Sequence, residues 1–399
     1  MGNHCFRSLL VAVFSLSILF ISNVSRAQEN VKKPGQPNAV QEVQKKKAEK
    51  LKPAKIILEH IGDAHDFHFA TINGAKISIP LPVILYSSGK GLSIFMASAF
   101  HHGQEVHDGY RLLEDEFFKG HGLENVKDKK GHPLFKIGKI YSVDAEGMPL
   151  LNAKVYDFSL TKNVVQMLIS VILLAWIMIS IAKKYGRGKG VHDAPSGFQN
   201  AVEPVITFVR DEVAKPNFGT AYEKYMPYLL SLFFFILINN LIGLVPGTAN
   251  VTGNIAFTGI LGILSFIILL GKSTKHYWGH IFNPPVPGGI KPIMVPVEIL
   301  SLFTKPFALI IRLFANMVSG HIIILSFICL IFIFGAMNKA LGWGTSPFFV
   351  LLSVFIYLIE ILVAFIQAFI FTNLTAVFVG EAMVGGHGKE EEHHDAALV

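Results

Sequence analysis

Glu298, Lys305, Arg312, Asn316 and His321 all fall inside one long apolar stretch, about 292 to 336. A charge at mid-bilayer costs on the order of 2.5 to 3.5 kcal/mol even on a lenient insertion scale, so such residues mark a pathway or a site. Glu298, Lys305 and Arg312 are spaced by seven and Asn316 follows by four, so at about 100° per residue the four share one helical stripe. His321 lies nine residues past Arg312, about half a rotation away and about 13 Å along the axis. A second stretch, about 346 to 381, repeats the pattern, with Ser353, Glu360, Gln367 and Glu381 separated by multiples of seven. An imidazole and a carboxylate at one depth can exchange protons, because histidine titrates near neutrality and burial raises a carboxyl toward it. Arginine stays protonated and cannot relay.

If the two helices pack antiparallel, Glu360 meets His321 in depth and Gln367 meets Arg312. A titratable pair then stands on one side of Arg312, while Glu298 and Glu381 stand near the opposite end. This predicts two half-paths separated by a fixed positive charge, with a carboxylate on another subunit carrying the proton between them. Approach to Arg312 would favour that carboxylate's ionised form and release its proton. A plainer alternative makes Arg312 a structural ion-pair partner of Glu298 or Glu360. A secondary transporter would instead require inverted repeats and helices broken by Gly or Pro. Only NPPVPGGIKP, 283 to 292, has such composition, and it reads as a loop.

The elements around these residues are membrane spans. The chain has 399 residues, 51% hydrophobic and 16% charged, with mean hydropathy +0.48, which is too apolar for a soluble protein of this length. Spans are expected at about 163–182, 225–246, 254–271, 292–336 and 346–381, the last two long enough to tilt strongly. An amphipathic helix over 196–216, with Val202, Val205, Ile206, Val209 and Val213 opposite Glu203, Arg210 and Asp211, is expected in the membrane interface or against a partner. Asn239 and Asn240 lie within the second span and need partners there. Lys183, Lys184, Arg187 and Lys189 put the end of the first span in the cytoplasm, so the preceding segment is exported and the tail, 386–399, cytoplasmic. The lysine tracts beside apolar blocks account for the net charge of +7 by membrane orientation rather than nucleic-acid binding.

Residues 1–27 read as a signal peptide with cleavage expected after Ala27, the alternative being an uncleaved first transmembrane helix, and 28–55 as a flexible tether too polar to bury a core. Residues 56–158 have the β-branched and aromatic runs of a small strand-rich exported domain, with 134–158 as one of its hairpins. Its histidines, His60, His65, His68, His101, His102, His107, His121 and His132, show no tight ligand spacing, so no metal is assigned. No cofactor is called for. Cys5 and Cys329 are the only cysteines, and loss of the signal peptide leaves no intrachain disulfide possible. The fold class is therefore an all-α polytopic membrane protein of five spans plus an interfacial helix, carrying a β-rich exported domain.

RLFANMVSGH, LIEILVAFIQAFIFTNLT and NLIGLVPGTANVTGNIAFT, separated along the chain, resemble in sequence and order the a subunit of the membrane sector of rotary F-type ATP synthases. The resemblance covers about 150 to 385. It implies that Arg312 stands at the family's essential arginine, Asn316 at its usual asparagine and Gln367 at its glutamine. In many bacterial members a glutamate occupies the position of His321 and a histidine that of Glu360. Here the two are exchanged, which keeps an acid and an imidazole together. The resemblance also implies a c-subunit ring, a b-subunit peripheral stalk and the remaining F1Fo complex as partners, in the plasma membrane, with proton flow driving ATP synthesis elsewhere. The chain has no phosphate-binding GxxxxGK[ST] loop and is not expected to be catalytic alone. A Na⁺-coupled form of the same subunit is the nearest alternative, since the ion-selective group would lie on the ring. The region before residue 150 departs from the family pattern.

Overall fold

The computed structural model describes residues 62–383 except 73–74, 102, 124–125, 128–131, 151–152, 189–196, 246–247 and 288. The expected signal peptide, tether and tail lie outside the described residues.

Among the described residues, the amino-terminal region holds seven short strands in three antiparallel sheets. β1 (Asp66–Ile72) pairs with β2 (Ala75–Pro80), and β3 (Pro82–Ser87) with β4 (Gly91–Met96) in the register Ile84 to Ile94. β5 (Tyr110–Leu112) precedes a short helix, α1 (Asp115–Gly120), and then come β6 (Ile140–Ser142) and β7 (Val155–Asp157). Alternation along β3 sends Val83 and Leu85 inward, both fully buried, to pack with Phe100, Tyr110 and Ile140.

The expected hairpin over 134–158 is not formed. β6 pairs with β5, and β7 with β3. Asp144 Oδ1 accepts the amides of Glu146 and Met148, 3.0 and 2.8 Å, gathering 144–148 into a tight turn closed by a single Val143–Pro149 bridge. Strands leaving that turn reach the apolar core only by pairing with partners more distant in sequence.

The rest is helical: α2 (Lys162–Gly186), α3 (Phe198–Phe208), a π-helical turn (Val209–Ala214), α4 (Lys215–Phe218), α5 (Tyr222–Leu244), α6 (Ile255–Lys272), α7 (Lys275–Phe282), α8 (Lys291–Met337) and α9 (Lys339–Met383). Among the described residues five helical segments are long and apolar enough to cross a membrane: Lys162–Gly186, Phe198–Leu244, Ile255–Lys272, Lys291–Met337 and Lys339–Met383. The chain is a mostly helical polytopic membrane protein with a small strand region. At 47 and 45 residues, α8 and α9 run about 70 Å at 1.5 Å per residue, well beyond a hydrocarbon core of about 30 Å.

The amphipathic stretch, expected in the membrane interface or against a partner, joins α5 through the π turn, α4 and a short 3₁₀ turn. Its apolar face is spent inside the chain's own bundle, where Val209 and Val213 are fully buried with Phe233, Ile236, Leu313 and Met317. Its polar side stays out, with Asp211 bound by Arg210 at 2.9 Å and Lys215 at 2.8 Å.

Small residues let the bundle close. Ala364 and Ala368 on α9 have no exposed surface, so neighbouring backbones approach where lipid supplies no hydrophobic drive between helices. A helix the sequence patterns do not announce, α7, is capped by Thr274, whose hydroxyl accepts the Tyr277 amide at 3.3 Å while its own amide donates to the Ala382 carbonyl at 3.1 Å. Where α8 gives way to α9, Asn338 Oδ1 accepts the Ala340 amide at 2.9 Å and starts α9. Gly342 and Gly335 approach so closely there that a Cβ on Gly342 would lie 2.5 Å from the Gly335 Cα.

Candidate functional site

α8 turns Leu302, Leu309, Leu313 and Met317 toward the bundle, and α9 turns Glu360, Ala364, Gln367, Ala368 and Phe371. These spacings of three, four and seven are what a helix needs to keep one face covered. His321 and Glu360 meet where the two faces oppose each other.

His321 Nδ1 lies 3.3 Å from Glu360 Oε1 and 3.1 Å from the Met317 carbonyl, while Nε2 lies 2.9 Å from the Gly243 carbonyl at the end of α5. Both ring nitrogens therefore face oxygens. A neutral imidazole has one N–H and can serve only one side, so the ring is placed to take or give a proton at Nδ1 toward the carboxyl group. Glu360 is 4% exposed, and neither of its oxygens completes a well-formed hydrogen bond among the described residues. The carboxyl group rests directly on Gly320, where any side chain would overlap it.

The surrounding shell is polar and mostly unannounced by the sequence. Asn250, 4% exposed, donates to the Met317 carbonyl at 3.3 Å, and Tyr357 to the Leu244 carbonyl at 3.3 Å. Gln166 on α2 makes a two-way bond with the Ala249 backbone, donating to its carbonyl at 2.5 Å and accepting its amide at 2.7 Å. The Ser170 hydroxyl is shared between the Gln166 carbonyl at 2.9 Å and Asn239 Oδ1 at 3.0 Å. Of the two amides flagged in the second span, Asn239 thus meets α2, and Asn240 donates to the Ala364 carbonyl at 3.2 Å. Sequence spacing misses Gly320, Asn250, Gln166 and Ser170. The available signal was polar or side-chain-free residues inside apolar runs.

Arg312 lies on the exposed surface of α8 and has no ion-pair or hydrogen-bond partner among the described residues. The ion-pair alternative is thereby overturned: Glu360 is turned inward to His321, and no contact joins Arg312 to Glu298. Gln367 is 5% exposed on the bundle face of α9, and no hydrogen bond joins it to Arg312 among the described residues. Asn316, half-buried, follows Arg312 by one turn.

At the other end of α8, Lys305 Nζ lies 2.8 Å from Glu381 Oε2 and 5.0 Å from the centre of the Phe378 ring. Lys305, Glu381, Glu298, His276 and His280 line one cavity of about 520 Å³ between α7, α8 and α9. The polar residues of α8 are therefore divided among three surroundings. Glu298 and Lys305 belong to the cavity, Arg312 to an open helix surface and His321 to the buried pair. Among the described residues no group of three or more His, Cys, Asp or Glu is placed to hold a metal ion.

Residues 164–380 match a family model described as "ATP synthase A chain". This is more than half of the chain and contains Arg312, Asn316, His321, Glu360, Gln367, Glu298 and Lys305. The chain belongs to the ATP synthase A chain family. It is 37% identical over 339 residues to "ATP synthase subunit a" of Chlorobium phaeobacteroides, covering 80% of this chain and 97% of that protein. It is 44% identical over 252 residues to "ATP synthase subunit a" of Chloroherpeton thalassium, covering 62% and 74% respectively. A protein of the same name from Anaeromyxobacter is 39% identical over 316 residues, 74% of this chain and 72% of the relative. The strand region matches a separate model, "Domain of unknown function (DUF8433)", over 56–158.

Proposed function

We propose that the chain is the proton-conducting stator subunit of an F-type ATP synthase, a membrane component that is not catalytic alone and couples proton flow to ATP synthesis in an attached sector. The observation that carries this reading is Arg312. An exposed guanidinium in a membrane-spanning helix, with no acid partner among the described residues, needs an anion supplied from outside the chain. A carboxylate on each subunit of a rotating c ring meets that need. Held near Arg312, the carboxylate is ionised and releases its proton; turned away into lipid, it must be protonated to move.

The geometry supports two offset half-paths. His321 and Glu360 load or unload the ring on the side of the strand region, taken as the outer side from the positive-inside pattern of the lysines after α2. The cavity with Glu298, Lys305 and Glu381 opens the other path on the cytoplasmic side, toward the carboxy-terminal tail. Gln367 and Asn316 bracket the arginine as neutral hydrogen-bonding groups. The membrane is the plasma (inner) membrane of the bacterium, and the b-subunit stalk holds this subunit against the torque of the ring. H⁺ rather than Na⁺ is the coupling ion because an imidazole–carboxyl pair exchanges protons and is a poor sodium cage.

The test is Arg312→Ala in the whole complex reconstituted in vesicles. Loss of proton-driven ATP synthesis together with an uncoupled leak is expected, and retained synthesis overturns the reading. Synthesis that follows an imposed Na⁺ gradient and not a pH gradient overturns the choice of ion.

A further inference from the structure

The first turn of α2 is fastened to the strand region. Its Lys162 amide donates to the Ala64 carbonyl at 2.9 Å and its Asn163 amide to Asp63 Oδ1 at 3.4 Å. Above it, His65, 7% exposed, places Nε2 3.0 Å from Asp157 Oδ2, and the Ser159 amide donates to Asp157 Oδ1 at 2.9 Å. Asp63 and Asp66 lie within electrostatic reach of Lys162. Asp63, Asp66 and Asp157 thus bring carboxylates to this junction beside Lys162 and His65.

Below this junction α2 carries a stripe that its membrane-spanning role does not require. Asn163, Gln166 and Ser170, spaced by three and four, are 8%, 2% and 0% exposed, whereas Leu168, Ile169, Ile172 and Trp176 on the other faces are exposed. The stripe spans about 10 Å at 1.5 Å per residue. It ends at Asn239, one turn of α5 before Gly243, whose carbonyl faces His321. Buried polar groups are costly unless hydrogen-bonded, and bundles normally place them only where partners exist. Among the buried polar atoms without a hydrogen-bond partner within the described residues, His65 Nδ1, Thr161 Oγ1 and Asn163 Oδ1 form a series at this junction, and both oxygens of Glu360 lie beside His321. Water, with two to four hydrogen bonds to offer, is the partner that fits such a series.

We propose that the polar stripe of α2, opening at Thr161 and Asn163 beneath the His65–Asp157 pair, is the outer mouth of the ion path, through which water-borne protons reach Glu360 and His321. The strand region thereby becomes a wall of the path rather than an appendage. Amides and hydroxyls do not store a proton at neutral pH, so the stripe's task is to hold water in line, and the titrating groups are the carboxyl and imidazole at its end. The inference rests on the proton-conducting reading of those two residues.

The test uses the reconstituted whole complex with Cys5→Ser and Cys329→Ser as background, and single cysteines at Thr161→Cys, Asn163→Cys and Ile172→Cys. The probe is a membrane-impermeant cationic methanethiosulfonate added on the side of the strand region. Modification at positions 161 and 163 but not at 172, with synthesis after reagent falling about tenfold or more relative to the same vesicles before it, is expected. Either absence of modification at both 161 and 163, or modification that leaves the rate unchanged, overturns the mouth. His321→Leu separates the two levels. If it retains synthesis, the underlying reading fails. If it abolishes synthesis while modification at 161 and 163 is without effect, the mouth alone fails.

Discussion

Among the described residues a lysine–carboxylate pair and a histidine–carboxyl pair join α8 to α9, and the two differ in almost every physical respect. Lys305–Glu381 is short, 2.8 Å, with side chains 30% and 50% exposed. His321–Glu360 is longer, 3.3 Å, with side chains 16% and 4% exposed. The shorter contact is the more solvent-screened one. Where solvent screens the charges, a good ion pair contributes about 0 to 1 kcal/mol. In the bundle, desolvation makes every proton transfer between partners a large electrostatic event, so the imperfect pair is the one able to change state. Arg312 lies between them along α8 and, among the described residues, is bound to neither.

That contrast can be broken in order of expected effect. Arg312→Ala should abolish proton-driven synthesis in reconstituted vesicles, because under the proposed function it removes the barrier between the two half-paths. Glu360→Gln should slow synthesis by about 10²-fold, the order contributed by a positioned acid–base group, with assembly of the complex intact. Gly320→Ala should act on the same pair by geometry, since the new methyl displaces the Glu360 carboxyl. A strained repacking of about 1 to 3 kcal/mol and a flattened dependence of synthesis on outer pH are the expected readouts, and an unchanged pH profile would argue that the carboxyl group need not sit there. Lys305→Gln should shift the thermal stability of the complex by less than about 1 kcal/mol.

The smallest effect concerns the strand region. Burial alone would raise the Asp157 carboxyl, but hydrogen bonds from His65 and Ser159 outweigh it and hold the group below the usual value of 3.8. A carboxylate lowered by folding contributes stability that is fully present above about pH 4 and is lost as pH falls through the folded value. Hydrogen exchange of the strand amides in the intact chain should therefore show β7 loosening below pH 4. His65→Ala should move that loosening to higher pH, and an identical acid profile in the variant would remove the pair from the account.

Much of the helical architecture is legible in residue order, because span length, apolar runs and flanking lysines are local properties set by the bilayer's thickness and polarity. The positions of Arg312, His321 and Glu360 follow from the same pattern, since a charge in an apolar helix stands out without any fold. What residue order leaves open is which side chains meet. Whether Arg312 pairs with an acid, whether 134–158 closes on itself, and where the amphipathic stretch spends its apolar face are settled by packing. That packing brings Gly320 under Glu360, Asn250 against Met317 and Gln166 against Ala249. Such contacts join residues 67 and 83 positions apart. Their energies depend on helix rotation and on the close approach permitted by small residues, neither of which a one-dimensional pattern contains.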